Sequence, residues 1–111
     1  MTEIRFTEAF SRRLKKLRKR YRRIQSDLQP IVRELEQGNF VGDQISGTTF
    51  VVLKVRAKNS DIPAGKSGGY RIIYQVISSD RVLLLLIYAK SDQADVDLAE
   101  IRTVIVQELE D

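Results

Sequence analysis

Residues 82–87 read Val-Leu-Leu-Leu-Leu-Ile, six apolar side chains with no polar interruption. The run is far short of the roughly 20 residues that a membrane-spanning helix requires. Read as a strand, it sends successive side chains to opposite faces, so a strand that is apolar throughout is buried on both. Tyr70 to Ile77 precedes it across Ser78-Ser79-Asp80, and the two segments, Tyr70–Ile77 and Arg81–Tyr88, predict a hairpin. A chain containing such a hairpin must supply other elements to cover it.

Those elements are legible on either side. Glu3 to Phe6 predicts a first strand, and Thr7 with Glu8 caps a helix running to about Arg20, with Phe10, Leu14, Leu17 and Tyr21 on one face. The same rhythm continues through Ile24, Leu28, Ile31 and Leu35, which would also suit one long coiled-coil helix. Ser26-Asp27 is an N-cap signal and Pro30 suits a first helical turn, so the expectation is a helical hairpin turning near Arg22 to Ser26 and ending at Gly38. Phe40 to Gly47 is a loop or short strand. From Thr49 to Lys58, Val51, Leu53, Val55 and Ala57 point inward, and Val52, Lys54, Arg56 and Lys58 point the other way. Asn59 to Gly69, with Pro63 and three glycines, is a flexible connection. Asp97 and Glu100 have capping-box spacing for a last helix packed through Leu98, Ile101, Ile105 and Leu109. The expected fold is α+β: an N-terminal strand and helical hairpin packed on a small antiparallel sheet, with a C-terminal helix, the helices covering one sheet face.

With 111 residues the expectation is a single domain, residues 1–111. The start, Met1 to Arg5, lacks a hydrophobic signal core, and cysteine is absent, which together predict a soluble cytoplasmic protein with no membrane contact. The net charge of +4 hides an asymmetry: residues 1–23 hold ten Lys/Arg against Glu3 and Glu8, while residues 91–111 hold seven acids against Arg102. Such a field favours an acidic partner at the basic end, whether nucleic acid, ribosome or an acidic protein segment; a well-solvated helix face is the plainer reading.

Histidine is also absent, which removes serine triads, histidine-dependent nucleases and histidine-ligated zinc. Asp92, Asp95, Asp97 and Glu100 form the one carboxylate grouping, and their spacing suits the start of a helix better than a metal pair, so neither a metal nor a cofactor is implied. Gly65-Lys66-Ser67 has the end of a phosphate-binding loop, but Ser60 stands where that motif needs glycine, and the segment opens a strand instead of a helix. What remains is cationic. Lys54, Arg56 and Lys58 lie on one strand face, about 6.5 to 7 Å from each to the next, with Lys66 in the loop, Arg71 on the next strand and Lys90 past the last. Each of Lys54 and Lys58 also has an ordinary reading as a solvent-facing strand residue. Tyr70 and Tyr74 read as core with a wet tip. Cations gathered around one phosphate can cut RNA without metal or histidine, because the 2′-hydroxyl is a built-in nucleophile that needs alignment and charge neutralisation.

Lys54-Val55-Arg56, Lys66-Ser67-Gly68-Gly69-Tyr70-Arg71-Ile72-Ile73-Tyr74 and Tyr88-Ala89-Lys90-Ser91-Asp92-Gln93-Ala94-Asp95 resemble the RelE/ParE superfamily of bacterial toxins, especially its HigB-like branch. The resemblance covers nearly the whole chain. It implies a toxin of a type II toxin-antitoxin system that cleaves mRNA in the ribosomal A site without metal. It also implies neutralisation by a cognate antitoxin, through which alone the pair would reach operator DNA. In that light Lys54, Arg56, Lys66, Arg71 and Lys90 are the catalytic candidates, Arg71 on the phosphate and Lys54 or Lys66 in proton transfer. Lys58, Tyr88 and Gln93 are candidates for RNA binding. The chain departs from the RelE branch where that branch has an arginine just after the position of Lys90 and a tyrosine a few residues on; here stand Ser91 and Asp97. The same superfamily includes gyrase inhibitors that cut no RNA, so a non-enzymatic binding module of the same fold, or an inactive relative acting in promoter autoregulation, is the alternative.

Overall fold

The computed structural model describes residues 1–63 and 68–110. Its elements are β1 (Glu3–Phe6), α1 (Glu8–Arg20), α2 (Ile24–Glu36), β2 (Asp43–Gln44), β3 (Val52–Ala57), β4 (Tyr70–Ser78), β5 (Arg81–Ala89) and α3 (Leu98–Glu110). They form the expected α+β fold around one five-stranded sheet in the order β1-β5-β4-β3-β2. The sheet is mixed: β1 runs parallel to β5, and every other pairing is antiparallel.

Thr7 fixes the start of α1 and ties it to the sheet. Its hydroxyl oxygen accepts from the Phe10 N–H at 3.1 Å and donates to the Leu84 and Leu85 carbonyls, both at 3.0 Å. This is an N-cap whose other half is β5. The second helix begins earlier than its sequence signals indicate, at Ile24, with no side-chain cap on Arg23. Asp27 is drawn elsewhere, accepting from the Ser60 N–H and hydroxyl at 2.9 and 3.0 Å. Pro30 consequently sits inside the helix. Its missing N–H falls on the exposed side, where water can serve the carbonyl that loses its partner. Gly38 ends the hairpin as expected, at φ +83° with its N–H on the Leu35 carbonyl.

The apolar run of β5 is buried on both faces because the helices lie on both, not on one. Phe10, Leu17, Ile24, Leu28 and Leu35 of the hairpin meet Tyr70, Ile72, Tyr74, Val82, Leu84 and Ile87 on one side. Ile101, Val104 and Ile105 of α3 meet Val52, Ile73, Leu85 and Leu86 on the other. The pairing of Ile73 with Leu86 and of Tyr74 with Leu84 leaves Leu85 as a bulged extra residue. The bulge switches the strand's phase, so that Val82 and Leu84 before it, and Ile87 and Ala89 after it, serve the same helical hairpin.

Three smaller expectations change with this second layer. Val51 precedes the strand and is exposed, whereas Val52 is fully buried under α3. Leu109 is 73 % exposed and Val104 takes its place in the core, because the last turn of α3 extends past the cluster that ends with Ile105. The helix starts where the capping-box spacing indicates, but the Glu100 carboxylate is engaged by Arg13.

The tyrosine tips are not wet. Tyr74 donates its hydroxyl to the Val41 carbonyl, and the Tyr70 hydroxyl is buried with no partner among the described residues. Burial pushes the Tyr74 phenol up to about 12, and it pushes Tyr70 further, helped by the charges of Asp27 and Asp61. Unfolded phenols ionise near about 10, so the folded state holds these protons to higher pH. Their contribution to stability is therefore full below pH 10 and falls as pH rises from there. The urea midpoint should drop between pH 10 and 12, and a flat midpoint across that range would contradict the burial of these rings. Phe10, fully buried and edge-on to Phe6 at 5.2 Å, anchors the hairpin. Phe10→Ala should cost about 3 to 5 kcal/mol in urea unfolding; a loss below about 1 kcal/mol would remove it from the core.

Candidate functional site

Strand register assembles the site. Arg56 pairs with Arg71, and Arg71 pairs with Tyr88, so these three side chains form one row across β3, β4 and β5. Paired residues are about 4.5 to 5.5 Å apart at Cα. Lys54 belongs to the next row, opposite Ile73. All four share the sheet face on which α3 packs, but the α3 cluster closes over Val52, Ile73 and Leu86. Arg56 is exposed, and Lys54 and Arg71 are half-buried at the edge of that cluster.

Arg71 is held rather than loose. Its Nη1 donates to the Gly68 carbonyl at 2.9 Å and to the Tyr70 carbonyl at 3.3 Å. The other donors of the fork have no acceptor among the described residues, which leaves them for an anion. Arg71 and Arg56 are cross-strand neighbours of like charge, with no carboxylate paired to either among the described residues. That arrangement is costly alone and favourable once a phosphate lies between them.

Asp95 is the residue that sequence reasoning set aside. Its Oδ1 accepts from the Val96 N–H at 2.8 Å, from Lys54 Nζ at 3.3 Å and from the Tyr88 hydroxyl at 3.4 Å. The Val96 N–H above all, then the Lys54 ammonium and the Tyr88 hydroxyl, holds this carboxyl below the usual range against slight desolvation. Asp95 is thus an acceptor at neutral pH, with no proton to give. Tyr88 moves the opposite way: burial, then the Asp95 charge, pushes its phenol up, with Arg71 opposing. Tyr88 is only 3 % exposed, so it presents no ring face to a base, and what it offers the row is a protonated hydroxyl. A cationic strand face followed in sequence by acids at Asp92, Asp95 and Asp97 is the signal that an internal carboxylate joins the site.

The remaining sequence candidates fall into three groups. Lys90 and Gln93 brace the β5–α3 connection: Lys90 Nζ donates to the Ala94 carbonyl at 3.0 Å, and Gln93 Nε2 to the Asp95 carbonyl at 2.9 Å. They are not part of the Arg56–Arg71–Tyr88 row. Lys58 lies just past β3, exposed, in one cleft with Arg56. Lys66 lies outside the described residues. Two other acids of the C-terminal region meet the basic helix α1: Asp92 takes Arg20 in a two-pronged pair at 2.7 and 3.1 Å, and Glu100 takes Arg13. Part of the charge asymmetry is therefore satisfied within the chain. Among the described residues no group of three or more His, Cys, Asp or Glu could hold a metal ion, and no helix is long and apolar enough to cross a membrane.

Residues 7–108 match the family described as the RelE toxin of the RelE / RelB toxin-antitoxin system. The chain belongs to the RelE toxin family. No curated protein matches the chain at a significant level. A RelE-family toxin implies an antitoxin as partner, and the α+β fold described above is compatible with that family.

Proposed function

We propose that this RelE-family chain, as one toxin domain over residues 1–111, is a cytoplasmic, metal-independent endoribonuclease that cuts mRNA in the ribosomal A site. The observation that carries the reading is the Arg56–Arg71–Tyr88 row with Lys54 beside it. In this reading Arg71 neutralises the scissile phosphate through the donors not used on Gly68 and Tyr70. Arg56 supports it from the neighbouring strand, and Lys54, steadied by Asp95, adds charge to the developing phosphorane. The O2′ of the upstream nucleotide attacks phosphorus and the P–O5′ bond breaks. The Tyr88 hydroxyl, kept protonated, donates to Asp95 and so holds that carboxylate beside Lys54. Lys66 stays a candidate for proton transfer, and Lys58 for RNA binding. Lys90 and Gln93 act by shaping the connection that carries Asp95. Operator DNA is reached through the antitoxin.

Primer extension on cellular mRNA after brief induction tests this function. Ends phased to codons are expected. Intact mRNA together with broken DNA would move the chain to the gyrase-inhibiting side of the fold.

A further inference from the structure

We propose that the cleft between the end of β3 and the α1–α2 turn is a subsite for a backbone phosphate of single-stranded RNA, flanking the phosphate at Arg71, and that Arg23 completes it. This rests on the ribonucleolytic reading above and adds a residue and a direction for the RNA path. The cleft, about 650 Å³, is lined by Arg23, Arg56 and Lys58 together with Asn59, Ser60 and the Gly68-Gly69 backbone. It is continuous with the row: Arg56 pairs with Arg71, and the Gly68 carbonyl in the cleft wall accepts from Arg71. A strand advances about 6.5 to 7 Å over two residues, so Lys58 extends the cationic track from Arg56 away from the scissile position.

What separates this cleft from the other charged ones is the absence of an acid from its described lining. The cleft holding Arg13, Lys16 and Arg20 also holds Asp92, the one holding Lys54 also holds Asp43 and Asp95, and the one holding Arg12 also holds Glu100. Among the described residues, three cations and no acid line the cleft at Arg23. Two carboxylates lie just behind that lining, Asp27 accepting from the Ser60 N–H and hydroxyl and Asp61 from the Arg23 N–H at 2.9 Å, and among the described residues neither forms an ion pair with the three cations. These bonds draw residues 59–61 onto the helical turn, which is how an arginine between two helices comes to lie over a strand end. Cations held together and not ion-paired favour an anion of matching spacing, and in an RNA-cutting protein the next phosphate of the same strand is that anion.

The test is binding of 2′-O-methyl oligonucleotides lengthened one nucleotide at a time from about four to eight, to the full chain and to Arg23→Ala, Arg23→Lys and Lys58→Ala. These probes lack the nucleophile, so the readout does not depend on cleavage. Affinity of the parent should rise in a step as the oligonucleotide reaches the cleft. Arg23→Ala and Lys58→Ala should each remove that step and lower the log–log salt slope by about 0.7, whereas Arg23→Lys keeps the slope. Arg23 is exposed and its backbone N–H survives any of these changes, so urea midpoints should match the parent. An unchanged step and slope in Arg23→Ala, or no step in the parent, would overturn the subsite. An Arg23-dependent step in a chain that leaves translated mRNA intact would keep the subsite and remove the endonuclease reading instead.

Discussion

Arg71→Ala is expected to lower cleavage of translated mRNA by about 100-fold or more and to relieve growth arrest, while the protein stays folded. Removal of one preorganised donor from a developing oxyanion costs about 100- to 1,000-fold, and here a full charge leaves with it. The fold loses little, because the Arg71 side chain bonds only to the Gly68 and Tyr70 carbonyls among the described residues and is half-buried. Arg71→Lys should fall nearly as far, since a lysine that reaches the phosphate cannot also offer two parallel donors. Rates are read in a reconstituted translation reaction and folding from the urea midpoint. A folded Arg71→Ala variant as toxic as the parent would remove this residue from the mechanism.

The second large effect is the dependence on the ribosome. The row is rich in phosphate-binding charge but poor in groups that can take a proton at neutral pH: Asp95 is held ionised as an acceptor for three donors, and Tyr88 is held protonated. Each missing acid or base costs about 100-fold or more. Nothing in the row bends a flexible RNA so that its O2′ lies in line with the leaving O5′. Positioning of that kind is worth up to about 7 to 11 kcal/mol in favourable cases, and a ribosome holding mRNA in its A site can supply it. Purified protein should therefore leave a short single-stranded RNA almost intact and cut the same codon when ribosomes display it. Equal rates on both substrates would mean that a complete acid/base pair lies in this chain, with Tyr88 and Asp92 the first residues to replace.

The sequence was most legible where one physical demand acted alone. Thr7 followed by an apolar stripe marked the start of α1, and Gly38 marked the end of α2, because capping and left-handed backbone are local requirements. The α+β class followed from alternation and a short hairpin, whereas the pairing of Arg56 with Arg71 depends on the β3–β4 register across a long connection. Legibility failed where a side chain had two possible partners. Ser26-Asp27 has the form of a cap, but Asp27 binds Ser60, across the fold, so the helix begins at Ile24 and encloses Pro30. Asp95 has the spacing of a helix-start acid and instead joins Lys54 to Tyr88. The contacts of Asp27 with Ser60 and of Asp95 with Lys54 span tens of residues and leave no periodic trace. The position of α3 was implied all along by residues 82–87: a strand apolar on both faces needs a layer on each, and a fold with helices on one face leaves half of that run in water. The bulge at Leu85, which settles which leucine faces which layer, depends on register and has no signature of its own in a run of identical residues.

The central claim is that the cationic row does its work on the RNA's own 2′-hydroxyl. A single 2′-deoxy substitution on the 5′ side of the cut position, in an mRNA displayed by ribosomes, tests it most directly. Removing that one oxygen removes the nucleophile and leaves the phosphate, the codon and the ribosomal path unchanged. Cleavage at that position should disappear, while the all-ribose mRNA is cut and yields an upstream fragment ending in a 2′,3′-cyclic phosphate. Cleavage of the 2′-deoxy mRNA at the parent's rate would contradict the account, because the attacking oxygen would then have to come from water or from the protein.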